Sequence, residues 1–201
     1  MSDEPALLAA ILAHPDEDTP RLIYADWLDE NRQPERAEFI RIQCAPDADE
    51  AAEGRAAELE ERNRARWLMG LPQFPGARWG FRRGFPEYLD VPAGLFLDRY
   101  GAFARVPWLR FLSLHDVDNS AVRHFVNRLW PPQWAEIELQ ENWGSYADAN
   151  YDTTPSAVAL ANSTQVRQLH RLRLFGYTYT AEARQALEPL QKELGERLEL
   201  H

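Results

Sequence analysis

Leu109-Arg110-Phe111-Leu112-Ser113-Leu114, Trp134-Ala135-Glu136-Ile137-Glu138-Leu139 and Leu169-His170-Arg171-Leu172-Arg173-Leu174 share one spelling, LxxLxL, with Trp134 in the first place of the second copy and Asn142 following it. Two shorter copies flank them, Leu89-Asp90-Val91 and Leu198-Glu199-Leu200. The matching central positions, 89, 112, 137, 172 and 198, are spaced by 23, 25, 35 and 26 residues. A leucine-rich repeat spans about 20–29 residues, and the one long interval contains an insertion, residues 143–155. Between the copies lie helix-like stretches at 94–105, 119–129, 156–162 and 180–194, the last opening on Thr180 as an N-cap and continuing through Ala183, Leu187, Leu190 and Leu194. A strand–helix unit that cannot bury its apolar face alone stacks on its neighbours. The expected fold is therefore α/β: an N-terminal helical domain followed by a short, irregular leucine-rich-repeat-like solenoid with parallel strands. The alternative is an ordinary α/β domain whose strands end in Leu-x-Leu.

The first third has a different texture. Residues 4–13 place Leu7, Leu8, Ile11 and Leu12 at helical spacing, and His14-Pro15 stops the helix, because a residue before proline is pushed out of the α region. Thr19 and Pro20 open a second helix as N-cap and first helical residue, with Leu22, Ile23, Trp27 and Leu28 as its apolar side. A third runs from Pro34 to Cys44 with Ala37, Phe39, Ile40 and Ile42 as its apolar set, and residues 48–68 form a longer, more polar helix with a thin stripe. From Gly70 to Gly84 glycine, proline and aromatics break the helical period. The domain plan is thus an acidic helical domain over 1–69, a junction over 70–84 and the repeat array over 85–201.

Composition narrows the function. The 201 residues carry a net charge of −10, and residues 1–66 hold 17 Asp and Glu against 8 Arg. Such an acidic surface repels phosphate backbones, so nucleic acid is not the expected partner. No apolar run approaches the ~20 residues of a membrane span, and the opening MSDEPALLAA lacks the basic region of a secretory signal. Cys44, the single cysteine, forms no internal disulfide, which fits a reducing, cytoplasmic setting.

Asp18-Thr-Pro-Arg-Leu-Ile-Tyr-Ala-Asp26-Trp27-Leu28-Asp29-Glu30, followed by Arg36-Ala-Glu-Phe-Ile-Arg-Ile-Gln43, resembles the repeat-companion domain found in planctomycete proteins. Phe81-Arg-Arg-Gly-Phe85 is similar to that family's junction before the first strand. The resemblance covers residues 4–91 well and the remainder loosely. It implies a domain placed before leucine-rich-repeat-like segments, and no established catalytic activity. Where the family has Gly-Asp before the third helix, this chain has Asn31-Arg32-Gln33, and Asn31 can supply a left-handed turn.

The candidate chemistry is sparse. Asp16–Asp18 and Asp26, Asp29 and Glu30 lack the Gly-turned loop of a calcium site and read as helix-surface charge. Asp26, beside Trp27 on the inner side of its helix, is expected to pair with Arg36 or Arg41 of the next helix as a structural link. His115-Asp116 has the look of a phosphohydrolase HD pair, but His14, His124, His170 and His201 supply no matching ligand pattern. Cys44 reads as a buried small residue rather than a nucleophile. No catalytic residue, cofactor or metal is expected.

Strand alternation makes the sharpest expectation. The residues between the leucines, Tyr88 and Asp90; Phe111, Ser113 and His115; Glu136, Glu138 and Gln140; Arg171, Arg173 and Phe175; Arg197 and Glu199, line the concave face of the array. Adjacent strands set Glu136 beside Arg171 and Glu138 beside Arg173; these pairs either steady the sheet or belong to a binding face. Phe111 and Phe175 read as exposed interface anchors. Trp143, Tyr146 and Tyr151 in the insertion form a second candidate surface, a loop on a rigid scaffold. The expected function is a non-catalytic protein–protein interaction module, a scaffold or adaptor holding a protein partner on the repeat surface. The acidic domain would cap the array and offer a surface to a basic partner. The rival is a regulatory or accessory subunit of an enzyme or effector complex.

Overall fold

A computed structural model describes residues 3–141, 152–176 and 180–201, which form a mixed α/β fold. The chain divides into two compact units: Met1–Leu71 with Gly80–Glu87, and Pro72–Trp79 with Tyr88–His201. Within residues 70–84, 70–71 and 80–84 belong to the first unit and 72–79 to the second.

The first unit contains α1 (Glu4–Ala13), α2 (Thr19–Glu30), α3 (Pro34–Cys44) and α4 (Glu50–Trp67). Asp49 caps α4, its carboxylate accepting from the Ala52 N–H at 2.8 Å. At the head of α2, Thr19 is already helical and Asp18 occupies the cap without a side-chain bond. The turn between α2 and α3 puts Arg32, not Asn31, in the left-handed region (φ 62°), and the Gln33 N–H reaches back to the Leu28 carbonyl at 2.8 Å.

The apolar side read from α2 is also turned. Arg21, Tyr24, Ala25 and Leu28 face inward, while Leu22 and Ile23 are exposed. What turns the helix is visible at Arg21, fully buried, which donates to the buried Glu87 carboxylate at 2.5 Å and to the Pro15 carbonyl at 2.9 Å. A charge can sit inside only when paired and hydrogen-bonded, and these partners meet that condition.

Strands β1 (Arg78–Arg82) and β2 (Phe85–Pro92) meet at Arg83-Gly84, both with positive φ (47° and 82°). A two-residue link of this kind joins antiparallel strands and matches their twist. At Gly84 a side chain is impossible, since a Cβ would lie 2.3 Å from Ile40 Cγ1. The Gly84 N–H donates to Gln43 Oε1 at 2.7 Å, and Arg83 donates to the carbonyls of Pro15 (2.5 Å) and Asp16 (2.8 Å).

In the second unit, β3 (Phe111–Val117), β4 (Glu136–Glu141), β5 (Arg171–Phe175) and β6 (Leu198–Leu200) continue in parallel from β2. The sheet order is β1-β2-β3-β4-β5-β6. Leu89, Leu112, Ile137, Leu172 and Leu198, the central residues of the five sequence copies, are successive register partners. Helices α5 (Ala93–Asp98) and α6 (Tyr100–Phe103) follow β2, in place of the single helix expected over 94–105. After β3, β4 and β5 come α7 (Asn119–Val126), α8 (Thr154–Asn162) and α9 (Ala181–Leu194).

Parallel crossovers are right-handed, so strands added in strict chain order put every connecting helix on the same face. Burial agrees with that rule. The leucine side of each strand is closed, with Leu89, Leu114, Ile137, Leu172 and Leu174 at most 1% exposed. Beneath the first helices Phe96, Phe103, Phe125 and Trp134 pack ring to ring, with Phe96 5.6 Å from Phe103 and 5.7 Å from Trp134. Each such pair contributes about 0.5–1.5 kcal/mol beyond its area.

Within this second unit, polar side chains tie successive strand–helix segments. Asn119 Nδ2 donates to the Asp152 carbonyl at 2.8 Å, and its Oδ1 accepts from the Ser156 N–H at 3.0 Å. Gln165 accepts from the Trp130 N–H at 2.5 Å and donates to the Val126 carbonyl at 3.1 Å.

Candidate interaction face

The face opposite the leucines is built by strand alternation in two rungs. Tyr88, Phe111, Glu136 and Arg171 are successive register partners, as are Asp90, Ser113, Glu138, Arg173 and Glu199. Beyond them, His115 lies opposite Pro92, and Gln140 opposite Phe175.

The charges of this face engage one another. Arg171 meets Glu136 at 3.9 Å and Glu199 at 3.2 Å. Arg173 meets Glu136 and Glu138 at 3.6 Å each and Glu199 at 3.0 Å. Glu138 also accepts from Gln140, and from the Ser113 hydroxyl at 3.5 Å. Glu199 titrates below the usual carboxylate range: partial desolvation would raise it, but the Arg173 hydrogen bond and charge, His201 and Arg171 outweigh that. The charged side chains remain half-exposed, whereas Ser113, expected to line this face, is buried; cross-strand pairs contribute roughly 0.2–1 kcal/mol each. The ladder is therefore a modest stabiliser and a polar, water-facing relief.

The aromatics do not behave alike. Phe111, expected as an exposed anchor, is buried, with its ring 5.5 Å from the Arg110 guanidinium. Phe175 is half-exposed and stacks on the His201 ring at 4.5 Å. Tyr88, at 37% exposure, is the aromatic that this face offers most openly among the described residues. Arg197, expected on this face, lies in a 3-10 turn and donates to the Leu169 carbonyl at 2.9 Å. Trp143, Tyr146 and Tyr151 lie outside the described residues.

His115 and Asp116 sit at a register irregularity at the end of β3, where Asp116 adopts φ 56°, and their side chains meet each other, Nδ1 to Oδ2 at 3.0 Å. Among the described residues no three His, Cys, Asp or Glu side chains converge where they could hold a metal, and no helix is long and apolar enough to cross a membrane.

Asp26 is exposed, not inward, and pairs with Arg41 at 2.7 Å; Arg41 also holds Asp29 at 2.7 Å. Arg36 takes no part. It is buried, with its guanidinium 4.5 Å from the Trp67 ring, 5.3 Å from Phe81, 5.7 Å from Phe85 and 5.8 Å from Phe39. Desolvation pushes its pKa down to about 10, so it stays charged at neutral pH, held by ring faces instead of a carboxylate. The half-buried Cys44 thiol is pushed up to about 11, first by desolvation and then by Asp18, which keeps it protonated and a poor nucleophile.

Glu141, at the end of β4, was not singled out by its sequence context. Its Oε1 is buried without a hydrogen-bond partner among the described residues, and desolvation pushes its pKa up to about 7. Gly176, at φ 94°, leaves it room: a Cβ there would stand 3.1 Å from both Glu141 Cβ and Oε2. Nothing in the LxxLxL spelling marks this residue, because its burial depends on the neighbouring strand's glycine.

Comparison with protein-family models, with curated proteins and with solved structures finds no match to this chain.

Proposed function

We propose that this chain is a non-catalytic protein-interaction module, a scaffold or adaptor whose strand–helix units stack as a leucine-rich-repeat-like solenoid and hold a protein partner against the uncovered face of the parallel sheet. One observation carries the reading. Five parallel strands bury one face and present on the other a half-exposed relief of Tyr88, Glu136, Glu138, Arg171, Arg173 and Glu199, interrupted at β3, where Phe111 and Ser113 are buried. All-parallel sheets are ordinarily covered on both faces and read as apolar on both. A polar, half-exposed second face is the surface left for a partner. Strict sequential order also lacks the switch in strand order at which open α/β sheets form ligand crevices.

The test is co-purification from the native host with wild type, with Tyr88→Ala combined with Arg173→Ala, and with Val158→Ala on α8 as a control. The sheet-face variant should lose its partner by about tenfold or more, as truncation of interface anchors does, and the control should retain it. Partners held equally by all three would refute the reading.

A further inference from the structure

The helical unit carries an opening of its own. A groove of about 800 Å³ lies among α3, α4, the loop joining them and the β1–β2 turn, entirely within this unit. Its accessible apolar lining is Ile42 and Phe81, with Ala57 along α4, over the buried Phe39 and Ala56. Phe39 and Ala56 belong to the buried cluster around Leu59, on which Ile42 and Phe81 pack while only partly buried. The groove thus lies directly over one side of this cluster, and alanines rather than larger residues keep its α4 wall low.

The charges at its mouth are unequal. On the α4 wall stand Glu53 and Glu60, two turns and about 10 Å apart. Glu60 is paired with Arg64, whereas the exposed Glu53 has no ion pair among the described residues. Across the groove, Arg83 is spent on the carbonyls of Pro15 and Asp16 and on Asp18 at 3.3 Å, and Arg82 has contacts of its own. The unit holds 18 Asp and Glu against 10 Arg, a net −8, and two of those arginines, Arg21 and Arg36, are buried.

We infer that this groove docks a cationic amphipathic helix of a partner protein, with apolar side chains on the Ile42–Phe81 floor and Lys or Arg beside Glu53. An amphipathic helix laid in an apolar groove is a recurrent recognition mode, and net charge of opposite sign speeds the encounter. A second copy of this chain or an anionic bilayer would bring like charge to the mouth. This site is separate from the sheet face, and neither depends on the other.

The probe is a synthetic Leu/Lys peptide of about 14 residues, close to 20 Å of helix, with leucines at i, i+3, i+4 and i+7 spacing. Controls are a leucine-scrambled peptide and one with Glu for Lys. Titration into the full-length chain is followed by NMR at the methyl groups of Ile42 and Ala57 and by calorimetry. The helical cationic peptide should bind and shift those methyls, and both controls should bind more weakly. Ala57→Trp, which fills the groove from an exposed helix position, should weaken binding about tenfold or more, a hot-spot-sized loss. Glu53→Lys should weaken it about twofold to fivefold, the range of a rim ion pair. Absence of binding up to about 1 mM, equal binding of the controls, or indifference to both substitutions would overturn the inference. So would self-association that Ala57→Trp abolishes, which would give the groove to a second copy. Loss of a native partner through sheet-face substitutions bears on the other site and leaves these readings unchanged.

Discussion

The two units differ in where their most telling charges lie. In the helical unit arginines lie inside: Arg21 is paired with Glu87, Arg36 is boxed by four aromatic rings, and Leu22 and Ile23 are left on the surface. In the sheet unit the strands bury aliphatic side chains and carry their Arg–Glu pairs on a half-exposed face. The difference teaches where a charge holds a fold together and where it remains available to a partner. A buried ion pair is hard to remove on one side alone because the survivor stays desolvated, whereas an exposed ladder can exchange protein partners for water at little cost.

The largest effect should follow from breaking the buried pair. Glu87→Ala, which strands the Arg21 guanidinium, is expected to cost about 3–5 kcal/mol by chemical denaturation, and Arg21→Met with Glu87→Leu should recover much of it. A double variant no better than Glu87→Ala would remove the pair from the account of this unit. Next comes the aliphatic side of the sheet. Leu172→Ala, in a residue 1% exposed between Ile137 and Leu198, should cost about 2–5 kcal/mol.

Glu141 offers a test by pH. Its folded pKa of about 7 lies above the unfolded value near 4.3, so its stabilising proton is fully present below about pH 4.3 and is lost as pH rises to 7. Glu141→Gln should therefore raise the melting temperature relative to wild type by an amount that grows from pH 5 to pH 7 and then levels off. A pH-independent difference would contradict the burial of this carboxyl. The smallest effect belongs to the ladder: Arg171→Ala should change stability by less than about 1 kcal/mol, and a much larger loss would make the ladder a structural element rather than an accessible face.

This contrast also explains how legible each region is in sequence. A period of two places side chains on opposite faces whatever their neighbours do, so the spacing of Leu89, Leu112, Ile137, Leu172 and Leu198 is enough to align five strands and to set Glu136 against Arg171. The same rule assigns Phe111 to the open side but says nothing of Arg110 beside its ring. Helix boundaries follow from Pro15 and Pro34, yet the rotation of α2 does not follow from its leucines. It depends on Glu87, which is 66 residues away from Arg21. Arg36 misleads for a similar reason, since a basic residue facing an acidic helix reads as an ion pair until Trp67 and Phe81 fold against it. The groove is invisible in sequence because it is defined by small residues on α4 opposite a turn that only Gly84 permits.

The most direct test of the central claim is site-specific photo-cross-linking in the native host, with a benzophenone amino acid placed at Tyr88 or Arg173 on the open face and at Val158 or Leu129 on the helical side. The account predicts one partner band at positions 88 and 173 and none at 158 and 129. A partner captured through positions 158 and 129 but not through 88 and 173 would contradict it.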